Sequence, residues 1–346
     1  MEVGQRDNSL HNSKAPAIPW SGKKPGKGLQ KPAMNKISVL DTNWVGHPKS
    51  IAAVLLESEN HRAIIDPGPE STLATLREQL RLRGLTVADL DAILLTHIHL
   101  DHAGATGALV RENPKLTVYV HASGARHLAD PAKLLASAMR LWGAQLAILF
   151  GETLPVPLGN IRTMEGPQTL TLGARKLDVE YTPGHASHHV SYFDADAGVA
   201  FIGDTAGIRI DNGPYILPAT PPPDIDLPLW DQSFATILAR RPARLLLTHY
   251  GYSDNPAAHI AEFRERLHHW AATAEEALAA AAEDPTAQDP HARDAAAMNA
   301  FVKKSRAEMN EKLGAVEAEH HAFTGALELS FLGLARYIRK RNEAAT

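Results

Sequence analysis

Residues 92–95 (Ala-Ile-Leu-Leu) run directly into Thr96-His97-Ile98-His99-Leu100-Asp101-His102, which sets three imidazoles and a carboxylate within six positions. The apolar run reads as a buried strand, and half-charged groups crowded at its end are costly unless something pairs with them. A divalent cation does so directly. Imidazole and carboxylate together suit zinc first, with iron, manganese or cobalt as alternatives, and no thiolate competes because the chain contains no cysteine. A solvated polar loop is the competing reading, and it fits poorly with a composition that follows a buried strand so tightly.

The same context recurs along the chain. Residues 179–181 read as a short strand, and Thr182-Pro183-Gly184 forms the turn that presents His185. The apolar run 199–203 ends at Asp204, the run 244–248 ends at His249, and the run 62–65 ends at Asp66. Functional groups of open α/β architectures collect beyond the carboxyl ends of strands. Taken singly, His185 is a turn histidine, Asp204 a helix cap, His249 part of an ordinary turn and Asp66 part of Asp-Pro-Gly turn chemistry. Joined to the first motif in this order, they read as ligands and their support.

Together these motifs resemble the metallo-beta-lactamase superfamily, specifically its glyoxalase II-like and thioesterase-type binuclear hydrolases. The likeness covers residues 36–255 and rests on His97, His99, Asp101 and His102, on Thr182-Pro183-Gly184-His185, on Gly203-Asp204 and on His249. It implies an α/β fold, a four-layer αββα sandwich, here with a C-terminal helical extension. It further implies that His97, His99 and His185 hold one metal, that Asp101, His102 and His249 hold the second, and that Asp204 bridges them. Asp66 then supports the ligand loop from behind. Two cations lower the pKa of a shared water from about 16 toward about 7, so hydroxide becomes the nucleophile, with Asp101 as the catalytic residue that orients it.

The expected activity is therefore hydrolysis of a thioester, ester or lactone in a small-molecule substrate, with two divalent cations as cofactors. β-Lactam hydrolysis fits less well, because the bridging Asp204 pattern belongs to other branches. Quorum-signal lactonases usually carry a tyrosine three positions after that aspartate, where this chain has Gly207. The rival readings are an iron-dependent persulfide dioxygenase, a phosphodiesterase and a non-catalytic metal-binding signalling protein.

With 346 residues and 44% hydrophobic content the chain can bury one sizeable catalytic domain with an appendage, and a net charge of −4 offers no argument for nucleic acid. No apolar run of about twenty residues appears, so no membrane span is expected. Residues 1–35 are rich in Gly, Pro, Lys, Ser and Asn, lack the apolar core of a secretory signal, and read as a disordered extension of a cytoplasmic protein. Residues 256–346 are Ala-rich, charged and helical, broken at Asp284-Pro285 and Asp289-Pro290. Phe263, Leu267 and Trp270 share one helical face, as do Leu327, Phe331, Leu334 and Ile338; these faces pack on the sandwich or mediate a homodimer.

Strands are expected at 51–56, 62–65 and 117–120, and helices at 71–82, from His102 to about 112, and at 227–240. The apolar helical stretch 125–157 is either core or a lid over the site, and the proline-rich loop 218–228 forms the opposite wall. The remaining histidines are set aside. One of His188 and His189 faces outward from a strand, His268, His269, His320 and His321 sit on solvated helix faces, and His121 is left unassigned.

Overall fold

The computed structural model describes residues 35–283 and 289–345. Of the N-terminal extension read at residues 1–35 all but the last residue, and the break at Asp284-Pro285, lie outside the described residues.

The first sheet joins β1 (Lys36–Asp41), β2 (Ala52–Ser58), β3 (His61–Ile65), β4 (Ala92–Leu94), β5 (Thr117–His121) and β6 (Ile161–Met164) in that order. β1 to β3 form an antiparallel meander, and β3 to β6 run parallel. The second sheet joins β7 (Gln168–Leu172), β8 (Arg175–Tyr181), β9 (Val190–Asp194), β10 (Val199–Phe201), β11 (Arg244–Leu247) and β12 (Gly251–Ser253), antiparallel except for the β10–β11 pair.

Alternation along each strand builds the layers. In β3 and β4, Ala63, Ile65, Ala92 and Leu94 face the second sheet, where they meet Val179, Val190, Tyr192, Phe201 and Leu246. Their neighbours Ile64 and Ile93 point the other way, onto Leu73, Leu76 and Leu80 of α1 (Leu73–Arg81). On the far side of the second sheet, Ala200, Leu245 and Leu247 meet Trp230, Phe234 and Ile237 of α7 (Leu227–Ala239). Strands covered on both faces read as unbroken apolar runs, which is the pattern of residues 92–95 and 245–247. The result is the expected four-layer αββα sandwich.

Between these elements lie α2 (Leu100–Ala103), α3 (Thr106–Glu112), α4 (Ala122–Ala129), α5 (Ala132–Trp142) and α6 (Leu146–Phe150). The helix expected after His102 starts inside the motif, at Leu100, and breaks after Ala103. The break has a local cause: Ala105 N donates to Gly68 O at 2.9 Å, across to the loop after β3.

The C-terminal helices are α8 (Pro256–Glu283), α9 (Pro290–Leu313), α10 (Ala315–Gly325) and α11 (Leu327–Ala345). The break expected at Asp289-Pro290 is the start of α9: Asp289 accepts Ala292 N at 2.9 Å, and Pro290 takes the first helical position. Phe263, Leu267 and Trp270 of α8 and Leu327, Phe331, Leu334 and Ile338 of α11 join one apolar cluster with the second sheet. Trp270, Phe301 and Phe331 carry it through ring contacts of 5.3 and 5.6 Å. The helices thus pack on the sandwich. Two of their histidines depart from the solvated faces expected for them: His321 is buried, and His320 hydrogen-bonds to Ser50 Oγ at 2.9 Å.

α8 also anchors the loop that follows β10, because the buried His259 donates from Nε2 to Ala206 O at 2.9 Å. Burial holds this ring below the usual histidine range, at about 4. With a folded pKa below the unfolded value of about 6.5, the group leaves stability intact above that pH and removes it as the pH falls to about 4. The total loss is about 3 kcal/mol. Chemical denaturation at stepped pH should therefore show His259→Gln losing less stability than wild type across this window. Parallel slopes would exclude His259 as the source.

Candidate metal centre

Four strand ends deliver the site. β4 leads to His97, His99 at the start of α2, and Asp101 and His102 within that helix. The turn after β8 presents His185, β10 ends just before Asp204, and β11 ends just before His249. The seven side chains predicted as ligands converge into two donor groups, His97 with His99 and His185, and Asp101 with His102, Asp204 and His249.

In the first group His99 Nδ1 lies 2.9 Å from His97 Nε2 and 3.0 Å from His185 Nε2. In the second, His102 Nε2 is 3.2 Å from Asp204 Oδ1 and His249 Nε2 is 3.3 Å from Asp101 Oδ2. Asp204 reaches both groups, since its other oxygen lies 3.4 Å from His185 Nε2.

The outer nitrogens determine what the inner ones can do. His102 Nδ1 donates to Asp66 Oδ2 at 2.9 Å, His185 Nδ1 to Ala219 O at 2.9 Å and His249 Nδ1 to Ser50 O at 2.6 Å. The Thr96 hydroxyl spends its proton on Asp66, so its oxygen accepts from His97 Nδ1 at 3.1 Å. Each of these four rings therefore carries its hydrogen on the outer nitrogen and turns a lone pair inward. Lone pairs and carboxylate oxygens then face one another without protons between them, and His102 Nε2 and Asp204 Oδ1 are buried without a hydrogen-bond partner. A divalent cation in each group would satisfy this donor set, and nitrogen with oxygen ligands suits zinc, iron or manganese.

Electrostatics agrees for the first group. Burial holds His97, His185 and His99 below the usual histidine range, His99 at about 4, so they are neutral at pH 7. In the second group burial opposes charge on His102 and His249, but the carboxylates, Asp204 foremost, outweigh it and hold both above that range, so their inner nitrogens draw a proton wherever no cation takes its place. Burial pushes Asp101 and Asp204 up, but the neighbouring histidines, led by His102, outweigh it and bring Asp101 down to about 2.

Asp66 takes the supporting place expected of it. Almost fully buried, it accepts Thr96 N at 2.8 Å, Thr96 Oγ1 at 2.6 Å, Thr248 Oγ1 at 3.2 Å and His102. Of His188 and His189, the pair of which a single member was expected to face outward, His188 is half-buried and His189 lies wholly buried beneath the site. Its Nε2 accepts Asp204 N at 3.3 Å, its Nδ1 pairs with Thr182 Oγ1 at 3.0 Å, and its ring stacks 5.0 Å from His97. Both histidines precede β9, every residue of which is buried, so the outward member, His188, sits on the turn and not on the strand. Gly203 is required beside His189: φ is +48°, and a Cβ would stand 2.6 Å from both His189 Nε2 and Thr96 Oγ1. His188 lies above the site, its ring 5.7 Å from that of His99. His121 stacks on Tyr181 at 4.6 Å and bonds to Ser123 Oγ.

A cavity of about 380 Å³ opens over the donor groups, with His99, Asp101, Asp204 and His249 in its lining. The stretch 125–157 supplies one wall through α4, α5 and α6, and Pro221, Pro222 and Pro223 supply part of another. No helix among the described residues is long and apolar enough to cross a membrane.

Residues 48–249 match the family model of the metallo-beta-lactamase superfamily, and the chain belongs to that superfamily. A probable metallo-hydrolase of Bacillus subtilis, YqgX, is 35% identical over 157 residues, which are 45% of this chain and 66% of the relative. A hydroxyacylglutathione hydrolase of Buchnera aphidicola is 29% identical over 172 residues, half of each chain. This chain thus spans between half and two thirds of these relatives' length. Among solved structures, the archaeal superfamily protein ST1585 from Sulfolobus tokodaii superposes with a TM-score of 0.61 at 21% identity, covering 88% of this chain and 99% of that one. It shares the fold.

Asp66→Asn keeps the shape of the side chain and removes the charge that orients His102 and Thr96. Chelator competition on the variant should show metal affinity lower by about 10- to 100-fold. Unchanged affinity would release Asp66 from that role.

Proposed function

We propose that the chain is a metal-dependent hydrolase that holds two divalent cations, zinc before iron or manganese, and cuts a thioester, ester or lactone bond. The observation that carries this reading is the sharing of Asp204, whose two oxygens face the two donor groups at 3.2 and 3.4 Å. His97, His99 and His185 are assigned to one cation, Asp101, His102 and His249 to the other, and Asp204 to both. Cations bound there supply a water whose pKa falls to about 7 and a Lewis acid for the scissile carbonyl oxygen.

The chain's own part is to place, orient and exclude. Asp101 lies in the cavity lining and is held ionised by its histidine neighbours, so its carboxylate is available to accept a hydrogen bond from the attacking water and orient it. The outer hydrogen bonds of His97, His102, His185 and His249 fix their rings before substrate arrives, so no reorientation is needed during reaction. Apolar walls exclude bulk water, which strengthens every charge interaction within the cavity. We assign the chemistry to residues 36–255 and the closing of the cavity to residues 256–346, since Thr324, Gly325, Ala326 and Leu329 line it. Quorum-signal lactones fit least, because a Cβ at position 207 would meet the Phe263 ring at 2.6 Å and leaves no room for tyrosine.

Metal analysis of the purified chain should return about two equivalents. On a panel of thioesters, esters and lactones, Asp101→Ala should lower kcat/KM by about three orders of magnitude or more. Full metal content with turnover on none of these, or on phosphodiesters alone, sinks the reading.

A further inference from the structure

The cavity over the metal centre is two-sided. One side is an aromatic slot. Trp44 is fixed by donation from Nε1 to Leu149 O at 2.6 Å, and its ring lies 5.8 Å from that of Phe150, which in turn meets Trp142 edge-on at 5.3 Å. Leu100 and Ala138 complete this side. Leu100 directly precedes Asp101, so the slot adjoins the half of the site that holds Asp101 and His249. Its rings pack on one another and Trp44 is hydrogen-bonded in place, which makes it a preformed apolar surface.

The other side is cationic. Ser123 of α4 donates to Ser187 O at 3.3 Å, which ties that helix to the loop carrying His188 above His99. Arg126, three residues on from Ser123 and on the same helix face, lines the cavity together with Lys133 at the start of α5. Both cations are exposed, and among the described residues neither has a carboxylate within salt-bridge distance. Two acids lie nearby, Asp224 in the cavity lining and Asp130 outside it, and each is hydrogen-bonded to other groups. Asp130 accepts Ala132 N at 3.1 Å, and Asp224 accepts the Ser187 amide and hydroxyl. Burial and then the charges of Arg126 and Lys133 hold His127 below the usual histidine range, which agrees with both cations lying close to it.

We infer that the substrate is an anionic amphiphile, with an apolar acyl group in the slot formed by Trp44, Trp142 and Phe150 and an anionic group on the leaving side paired with Arg126 and Lys133. The scissile bond spans the two sides of the cavity and so lies over the metal centre. Which bond is cut rests on the hydrolase reading, whereas the two-sided binding does not. The shared chemistry of the anion is a phosphate or carboxylate borne by the leaving thiol or alcohol.

Non-hydrolysable thioethers separate binding from turnover. Calorimetry on the metal-loaded protein would compare S-decyl-coenzyme A, bearing phosphates, with S-decyl-glutathione, bearing carboxylates, and with uncharged S-decyl-N-acetylcysteamine. At least one anionic ligand should bind about ten-fold more tightly than the neutral one, with an advantage that shrinks as salt is raised. Preference for the first identifies phosphate, and preference for the second identifies carboxylate. Arg126→Ala combined with Lys133→Ala should abolish the advantage and leave neutral binding within about two-fold, while Arg140→Ala, a cation of α5 outside the cavity lining, changes neither. Trp142→Ala should weaken all three ligands alike.

Equal affinity for charged and neutral ligands, an advantage that survives loss of both cations, or binding of none of the three would overturn the inference. Thioesters of the same thiols then test the other reading. Selective binding without turnover would remove the hydrolase assignment and leave the anionic amphiphile standing.

Discussion

Asp66 sits where no water reaches and yet remains surrounded by donors. Its two oxygens receive the amide and hydroxyl of Thr96, the hydroxyl of Thr248 and the Nδ1 hydrogen of His102. These partners belong to the ends of β4 and β11 and to α2, so one carboxylate at the end of β3 gathers strands from both sheets. A buried charge is tolerated only when its lone pairs are used in this way. Remove the charge and the Thr96 amide, two hydroxyls and an imidazole lose their reference point together.

From that anchor the electrostatics of the centre follows outward. Asp66 and Thr96 set the tautomers of His102 and His97, while the carbonyls of Ala219 and Ser50 set those of His185 and His249. His102, His185 and His249 turn lone pairs toward Asp101 and Asp204, and His97 turns its own toward His99. Such an arrangement is unstable as a cluster of neutral and negative groups, and stable as a cage for positive charge. The sandwich makes it affordable, because its strands are covered on both faces and hold the loops rigidly at one edge.

The seven converging side chains were legible because their residue types are rare in combination and follow apolar runs that only a buried strand explains. His97 through His102 lie within six positions, and His185, Asp204 and His249 each follow a recognisable strand end. The sandwich itself was legible from the motif order that marks the superfamily, whereas periodicity alone indicates only α/β. What escaped was chiefly backbone. The carbonyls of Ser50 and Ala219 have no side-chain signature, and their role depends on where loops distant in sequence come to rest. His189 escaped because an alternating strand suggests a solvated face, and helices on one side with a sheet on the other leave β9 none. The break after Ala103 escaped too, since the cross-loop bond from Ala105 to Gly68 that accompanies it joins positions far apart along the chain.

The C-terminal helices reach the two carbonyl anchors from behind. His320 of α10 bonds to Ser50 Oγ, and Ser330 of α11 holds both the amide and hydroxyl of Thr220, the residue after Ala219. Cation occupancy and docking of the helical tail are therefore coupled equilibria: whatever favours one raises the population of the other. A substitution on the helices, well away from any donor atom, is then felt as weaker cation retention, and scarcity of the cation is felt as loosening of the tail.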